Sequence, residues 1–215
     1  MITADLHIHT CYSHDSCTRL GEIVERCVEL GLGCVAITDH GTIEGAIELQ
    51  KIAPFRVIVG AEILTPVGEI MGLFLKEDVP GGLSPLETVA RIKKQGALAG
   101  IPHPFGRWPI QNSHKLLSPE LIEQMDFLEV FNARSPFARS SDRAQQLALK
   151  YGKAGSAGSD AHTPGEIGKA YVEMRDFDGV GDFLEALASG RVHGERSSNL
   201  VHFASTLAKI RKKLC

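Results

Sequence analysis

The chain has 215 residues, of which 43% are hydrophobic and 23% charged, and its formal net charge is −3. These values are typical of one globular domain with its own core, and they exclude a protein drawn to nucleic acid by overall positive charge. The absence of any run of about 18–20 apolar residues excludes a membrane-spanning helix. The five cysteines are scattered without a Cys-x-x-Cys pair, which favours a cytoplasmic protein without a disulfide framework.

Short apolar strands alternate with amphipathic helices along the chain, a pattern typical of an α/β sheet or barrel. Strands are predicted at residues 2–7, 34–38, 57–60, 70–75, 97–101, 127–131 and 154–159. Helices are predicted at residues 20–30, 43–52, 140–151 and 183–189, and two more begin at Ser84 and Ser118, each directly before a proline. We expect a single domain over residues 1–215, with helices over residues 178–214.

Histidines and acidic residues lie beside the ends of these strands. Because the C-terminal ends of parallel barrel strands meet at one face, we expect these side chains to converge there. His7 and His9 are two residues apart on one strand, so both can hold the same ion. The candidate metal ligands are His7, His9, Asp15, His40, Glu62, Glu69, His103, Asp160 and His162.

Glu69 differs from the other candidates because it opens a strand rather than closing one. About six residues separate it from Glu62, which is too few for a helical crossover between parallel strands. The sequence therefore predicts an antiparallel hairpin with its turn at residues 65–68, which returns Glu69 to the same end of the sheet as Glu62.

The candidate ligands also indicate the kind of metal and reaction. Nine ligands exceed what one ion needs and suit two or three divalent ions with shared ligands. Imidazoles and carboxylates without a thiolate favour Mn²⁺, Zn²⁺ or Fe²⁺. Such ions lower the pKa of water and neutralise phosphoryl oxygens, so we expect phosphate ester hydrolysis by a metal-bound hydroxide, with amide or lactam hydrolysis as the second possibility.

A series of ordered motifs over roughly residues 2–175 resembles the PHP (polymerase and histidinol phosphatase) family. The resemblance implies a distorted (β/α)₇ barrel that holds a trinuclear metal centre at the C-terminal ends of its strands and hydrolyses phosphoesters. The motifs are Asp5-x-His7-x-His9-Thr10, Ser13-x-Asp15-Ser16, Ile37-Thr38-Asp39-His40, Gly60-Ala61-Glu62, Ile101-Pro102-His103-Pro104, Glu129-Val130-Phe131-Asn132 and Ser159-Asp160-Ala161-His162.

The resemblance also implies how the ligands divide among three metal positions. The first position takes His7, His9, Glu62 and Asp160. Glu62 bridges to the second position, which Glu69 and His103 complete, and the third takes Asp15, His40 and His162. Asp15 and Glu69 stand where some relatives have histidine, which leaves the choice of metal open. His14, beside Asp15, is an alternative ligand.

Residues around these motifs are candidates for substrate binding and support. Arg107, Arg134 and Asn132 follow strand ends and are interpreted as phosphate contacts, although an arginine in a loop also serves in structural ion pairs. Trp108 either stacks on a base or is a buried anchor. Asp39 is expected to orient a ligand histidine. Asp160 or His162 is expected to assist proton transfer to the leaving group.

The sequence thus predicts a phosphoesterase that acts on a small phosphorylated substrate, which is a nucleotide, a nucleoside bisphosphate, a short oligonucleotide or histidinol phosphate. One alternative is a non-catalytic metal-binding module that stabilises a larger assembly. Another is an amidohydrolase, although no lysine stands in a motif at a strand end. The basic segment 207–214 is interpreted either as a solvated helix end or as a nucleic-acid contact.

Overall fold

The computed structural model describes residues 1–106 and 113–198, together with Thr206, Ala208, Lys209 and Lys212. The strands within it are β1 (Ile2–Ile8), β2 (Cys34–Ile37), β3 (Arg56–Thr65), β4 (Gly68–Leu73), β5 (Leu98–Ile101), β6 (Phe127–Asn132), β7 (Ala154–Gly158), β8 (Ala170–Met174) and β9 (Arg191–Gly194). The helices are α1 (Leu20–Leu30), α2 (Glu44–Gln50), α3 (Pro85–Lys94), α4 (Ser113–Leu116), α5 (Pro119–Gln124), α6 (Ala138–Lys150) and α7 (Val180–Ala188). Within these ranges, no helix has the length and apolar character needed to cross a membrane.

The strands form one mixed sheet in the order β7-β6-β5-β4-β3-β2-β1-β8-β9. The sheet curls until β1 meets the residues after β7, where the His9 amide donates to the Ala161 carbonyl at 2.9 Å and the Asp160 amide donates to the His7 carbonyl at 2.8 Å. Strands β1 to β7 thus form a nearly closed barrel, and β8 and β9 extend it antiparallel from β1. The predicted α/β barrel is confirmed.

The predicted hairpin between Glu62 and Glu69 is also confirmed. Strands β3 and β4 pair antiparallel, with Leu64 opposite Glu69 and Thr65 opposite Gly68. The hairpin is longer than expected because β3 continues to Thr65, and the turn is reduced to the two residues between the strands. This hairpin is the distortion that interrupts the otherwise parallel order of β1, β2 and β3 on one side and β5, β6 and β7 on the other.

Local capping explains why two helices begin where the sequence predicted. The Ser84 hydroxyl accepts from the Glu87 amide at 3.3 Å, and the Ser118 hydroxyl accepts from the Leu121 amide at 3.4 Å. Each serine is followed by a proline, whose missing N–H costs nothing in the first helical turn. The predicted starts of α3 and α5 are therefore confirmed.

The C-terminal part of the chain was predicted to be helical over residues 178–214, and α7 lies there. The prediction is wrong for Arg191–Gly194, which forms β9 by pairing with β8, from Ala170 opposite Gly194 to Glu173 opposite Arg191. Both strands are only four or five residues long, so neither gives a clear alternating pattern.

The interior of the barrel is filled by a buried apolar cluster, here called the interior cluster, to which β1 through β8 all contribute. Leu6, Met71 and Phe127 are its large members from the barrel strands, and Phe183 of α7 joins it. A second layer packs the outside of the sheet against the helices, for example Ile8 and Ile37 against Ile23 of α1. The barrel is therefore a packed core, and only its open end is left for polar side chains.

Candidate metal centre

His7 in β1 and His9 directly after it reach the site because the strand is irregular. The register of β1 against β2 shifts between Asp5 and Ile8, as in a β-bulge. Leu6 belongs to the interior cluster, whereas Ile8, two residues later, packs in the outer layer. The shift reverses which face of the strand points inward, so His7 and His9 both point to the inside of the barrel.

Two other candidate ligands lie on strained backbone. His103 has φ 28° and Asp160 has φ 54°, and only one further non-glycine residue within the described ranges has a positive φ. Side chains with a Cβ rarely adopt this conformation, and it persists only where the surrounding structure enforces it. The chain therefore holds these two side chains at a conformational cost, which is common at functional sites.

The first group of side chains surrounds His7 and His9. His7 Nε2 and His9 Nε2 lie 3.1 Å apart. Glu62 Oε2 is 3.4 Å from His7 Nε2 and 3.3 Å from His9 Nε2. Asp160 Oδ1 is 3.6 Å from His7 Nε2 and 3.3 Å from His9 Nε2. This arrangement matches the set expected for the first metal position.

The second group gathers around the other oxygen of Glu62. His103 Nε2 is 3.0 Å from Glu62 Oε1 and 3.8 Å from Glu69 Oε2. His40 Nδ1 also approaches, at 3.4 Å from Glu62 Oε2 and 3.7 Å from Glu69 Oε1. Glu62 thus presents Oε1 to His103 and Oε2 to His7, His9 and His40, so one carboxylate contacts both groups, as a bridging carboxylate does. His40 borders the second group as well as the third.

The third group forms around Asp15. Asp15 Oδ2 is 3.4 Å from His40 Nε2 and 3.2 Å from His162 Nε2. His14 Nε2 is 3.9 Å from the same oxygen, but its side chain is 63% exposed. Asp15 is buried and is therefore the better placed ligand of the two. The structure brings all nine candidates into overlapping groups, and their role as ligands stays a prediction.

The donor set fits a group of divalent ions. Glu62 Oε2, Asp160 Oδ1 and Asp15 Oδ1 are buried without a hydrogen-bond partner among the described residues. An unpaired buried carboxylate oxygen is costly unless a cation neutralises it. Ligand atoms about 2.1 Å from a tetrahedral ion lie about 3.4 Å from one another, which is the spacing found here between imidazole nitrogens and carboxylate oxygens.

The pKa shifts lead to the same conclusion. Burial lowers the pKa of His9, but Asp160 and Glu62 outweigh it and raise this pKa to about 9. The pKa of His7 is raised well above its usual value, because the surrounding Glu129, Glu62 and Asp160 outweigh its burial. Two imidazolium rings with nitrogens 3.1 Å apart would repel each other. The carboxylates thus require positive charge at this point, and divalent ions supply it without that repulsion.

Glu129 fixes the orientation of His7. It lies within one of the sequence motifs, but no role was predicted for it. Its Oε1 is 2.9 Å from His7 Nδ1, and its Oε2 accepts from the His103 amide at 2.6 Å. Because a carboxylate accepts the Nδ1 proton, the lone pair of His7 remains on Nε2, which faces the first group. An acidic residue inside the buried strand β6 (FLEVFN) is the signal that would have identified it.

His162 is oriented in a similar way by the backbone. Its Nδ1 lies 2.8 Å from the Asp160 carbonyl, which can only accept, so the lone pair is on Nε2, facing Asp15. Burial and the nearby charge of His9 lower the pKa of His162 to about 4. The ring is therefore neutral at physiological pH, which is the form that binds metal.

Asp39 supports the site differently from the prediction. Its two oxygens accept from the amide and the hydroxyl of Thr10, each at 2.6 Å. It therefore fixes the chain next to His9 rather than contacting an imidazole. Ser13 has that role instead, since its hydroxyl is 3.0 Å from His9 Nδ1 and accepts from the His40 amide at 3.0 Å.

The three candidate substrate contacts have different positions. Asn132 is buried and donates from Nδ2 to Glu129 Oε2 at 3.0 Å and to Asp160 Oδ2 at 3.2 Å. Arg134 is also buried, with Nε 3.4 Å from Glu166 Oε1 and Nη1 donating to the Asp160 carbonyl at 3.3 Å. Arg107 and the adjacent Trp108 lie outside the described residues. Contact with substrate stays a prediction for all of them.

Comparison with known proteins identifies the family. A family profile described as PHP-associated matches residues 138–192. An uncharacterized protein of Methanocaldococcus jannaschii is 44% identical over 144 residues, which cover 60% of this chain and 81% of that protein. A second uncharacterized protein of the same organism is 34% identical over 177 residues, which cover 81% of this chain and 71% of that protein.

Solved structures are similar in fold. A two-domain Bacteroides vulgatus protein with a predicted PHP-like metal-dependent phosphoesterase superposes with a TM-score of 0.71 at 18% identity over 90% of this chain, and the chain spans 65% of that protein. An amidohydrolase from Chromobacterium violaceum gives a TM-score of 0.61 at 16% identity, covering 94% and 96% of the two chains. Fold and site together define an α/β barrel with a candidate metal centre, and the chain belongs to the PHP family.

Proposed function

We propose that this protein is a metal-dependent phosphoesterase. The observation that carries the proposal is the overlap of the ligand groups, which share His7, His9, His40 and Glu62. Ions held by groups that share side chains lie close together, and closely spaced divalent ions suit phosphoryl transfer because they act on both the attacking and the leaving oxygen.

We assign the ligands to three positions. His7, His9, Glu62 and Asp160 would hold the first ion, Glu62, Glu69 and His103 the second, and Asp15, His40 and His162 the third. Imidazole and carboxylate ligands favour Mn²⁺, Zn²⁺ or Fe²⁺. When bound, these ions would supply positive charge to the phosphoryl oxygens and lower the pKa of water.

The protein's own side chains prepare the site for this chemistry. Glu129 and Ser13 hold His7 and His9 by their Nδ1 atoms, so both rings present Nε2 to the ligand groups. Asn132 holds Asp160 by Oδ2 and leaves Oδ1 toward the histidines. Rigid orientation of this kind reduces the reorganisation needed during the reaction. Asp160 or His162 is proposed to assist proton transfer to the leaving group.

The proposed substrates are small phosphorylated molecules, namely a nucleotide, a nucleoside bisphosphate, a short oligonucleotide or histidinol phosphate. Arg134 supports this choice because its buried guanidinium lies beside Asp160, where it adds positive charge next to the ligand groups. Arg107 and Asn132 are proposed as further contacts to phosphate. A phosphate group would be recognised here mainly by charge.

A turnover screen tests the proposal. Metal-free protein is reconstituted with Mn²⁺, Zn²⁺ or Fe²⁺ and assayed against the four substrate classes together with an amide and a lactam. We expect phosphate release from at least one class, and none from the Glu62→Gln variant. Metal binding without turnover would favour a non-catalytic module, and amide or lactam cleavage alone would favour an amidohydrolase.

A further inference from the structure

Lys209 and Lys212, described residues of the basic C-terminal segment, contact the loop that carries Asp15. Ala208 is buried, and Lys212 donates from Nζ to the Cys11 carbonyl at 2.5 Å and to the Ser13 carbonyl. Lys209 precedes Lys212 by three residues in the sequence. Its Nζ is 3.4 Å from Asp15 Oδ2. Lys209 thus contacts the candidate metal centre, and Lys212 contacts the loop that leads to it.

Lys209 contacts Asp15 Oδ2, the oxygen that would bind the ion of the third metal position. Asp15 Oδ2 is approached by His40 Nε2 at 3.4 Å, by His162 Nε2 at 3.2 Å and by Lys209 Nζ at 3.4 Å. The imidazole nitrogens can bind a metal ion. An ammonium group has three donors and no lone pair, so it cannot. It can only supply to Asp15 the positive charge that an ion would otherwise supply.

We propose that Lys209 competes with the third metal ion for Asp15, so that the C-terminal segment weakens this metal position relative to the other two. Two cations cannot share one carboxylate oxygen without repulsion, so entry of the ion must displace the ammonium. The Lys209 side chain is 47% exposed and can move into solvent, while Lys212 keeps the segment attached to the loop. The inference rests on the metal-binding part of the proposed function and not on phosphate hydrolysis.

Calorimetric titration of metal-free protein with Mn²⁺ alone tests the inference. Lys209→Met removes the ammonium and keeps the length of the side chain, and we expect it to tighten the weakest Mn²⁺ site by about three- to fivefold, the value of a half-exposed ion pair. The two stronger sites should be unchanged. Lys209→Arg retains the cation and should match the wild type.

Lys94→Met provides the matched control, because Lys94 is an exposed lysine of α3 and its replacement changes the net charge equally. Unchanged or weaker binding at the third site in Lys209→Met would overturn the inference, as would an equal effect of Lys94→Met or the absence of a third site in every variant. No substrate is used, so the proposed hydrolysis can fail while this competition is still observed.

Discussion

The ring orientation of three histidines in this site is set by the group that contacts Nδ1. Glu129 holds Nδ1 of His7, Ser13 holds Nδ1 of His9, and the Asp160 carbonyl holds Nδ1 of His162. In each ring this leaves Nε2 directed at buried carboxylates. Buried polar groups thus fix the orientation of these rings. A fixed ring orientation favours metal binding but does not improve packing.

Glu62→Gln tests the bridging role at the residue scale. Glu62 faces three histidines with Oε2 and His103 with Oε1, and these contacts hold its pKa well below the usual range although burial alone would raise it. The neutral amide removes the charge that two ions would share. We expect at least one ion fewer per chain by elemental analysis, together with an intact circular dichroism spectrum. An unchanged metal content would remove Glu62 from the bridge.

Glu129→Gln tests the support given to His7. Because glutamine is nearly isosteric but can present its NH₂ to His7 Nδ1, it favours the wrong tautomer. We expect metal affinity to fall by about 10–100-fold, as for other carboxylates that orient ligand histidines. Isothermal titration with Mn²⁺ measures the change. Glu173→Gln, at a half-buried pair with His193 outside the ligand groups, is the control and should bind metal normally.

At the scale of elements, the sequence predicted what depends on short-range patterns. The hairpin of Glu62 and Glu69 followed from loop length, and the starts of α3 and α5 followed from serine-proline caps. The bulge in β1, the short strands β8 and β9 and the contact of Lys209 with Asp15 depend on partners distant in the chain. No local pattern in one sequence reports such partners.

Asp5 joins β1 to two distant segments and should make stability depend on pH. It accepts from the Ser159 and Gly168 amides, each at 2.9 Å, yet burial outweighs these bonds and raises its pKa to about 6. The unfolded value is about 3.9, so the protonated carboxyl favours the folded state. The stabilisation that protonated Asp5 gives to the folded state is complete below the pKa of the unfolded state. It is lost as pH rises through the pKa of the folded state.

Comparison with Asp5→Asn isolates this contribution, since the variant cannot titrate there. In urea unfolding of metal-free protein, the advantage of the wild type over the variant should shrink by about 1 kcal/mol between about pH 5 and about pH 7. A difference that stays constant or grows with pH would show that the carboxylate is not penalised by its burial.

At the scale of the whole molecule, the metal centre depends on closure of the barrel. The first ligand group takes His7 from the first strand, His9 from just beyond that strand and Asp160 from the residues after the seventh. Hydrogen bonds join these segments: the Asp160 amide donates to the His7 carbonyl, the His9 amide donates to the Ala161 carbonyl, and the Ser159 amide donates to Asp5. Folding to the nearly closed barrel and assembly of the ligands are therefore one event, and bound metal should stabilise the fold by linkage.

Gly158→Ala tests this coupling because the glycine lies where the barrel closes. A Cβ at Gly158 would lie 2.2 Å from His7 Cβ and 2.7 Å from the His7 backbone nitrogen, so β1 and β7 must separate. We expect a loss of about 1–3 kcal/mol in unfolding free energy from overpacking. Because His7 and Asp160 would move apart, Mn²⁺ affinity measured by calorimetry should fall as well.

Gly21→Ala in α1 is the control, because a Cβ at Gly21 would have no atom within 4 Å. This variant should instead stabilise the protein by about 0.5–1 kcal/mol. Lost stability with unchanged Mn²⁺ affinity in Gly158→Ala would show that the site assembles without full closure of the barrel.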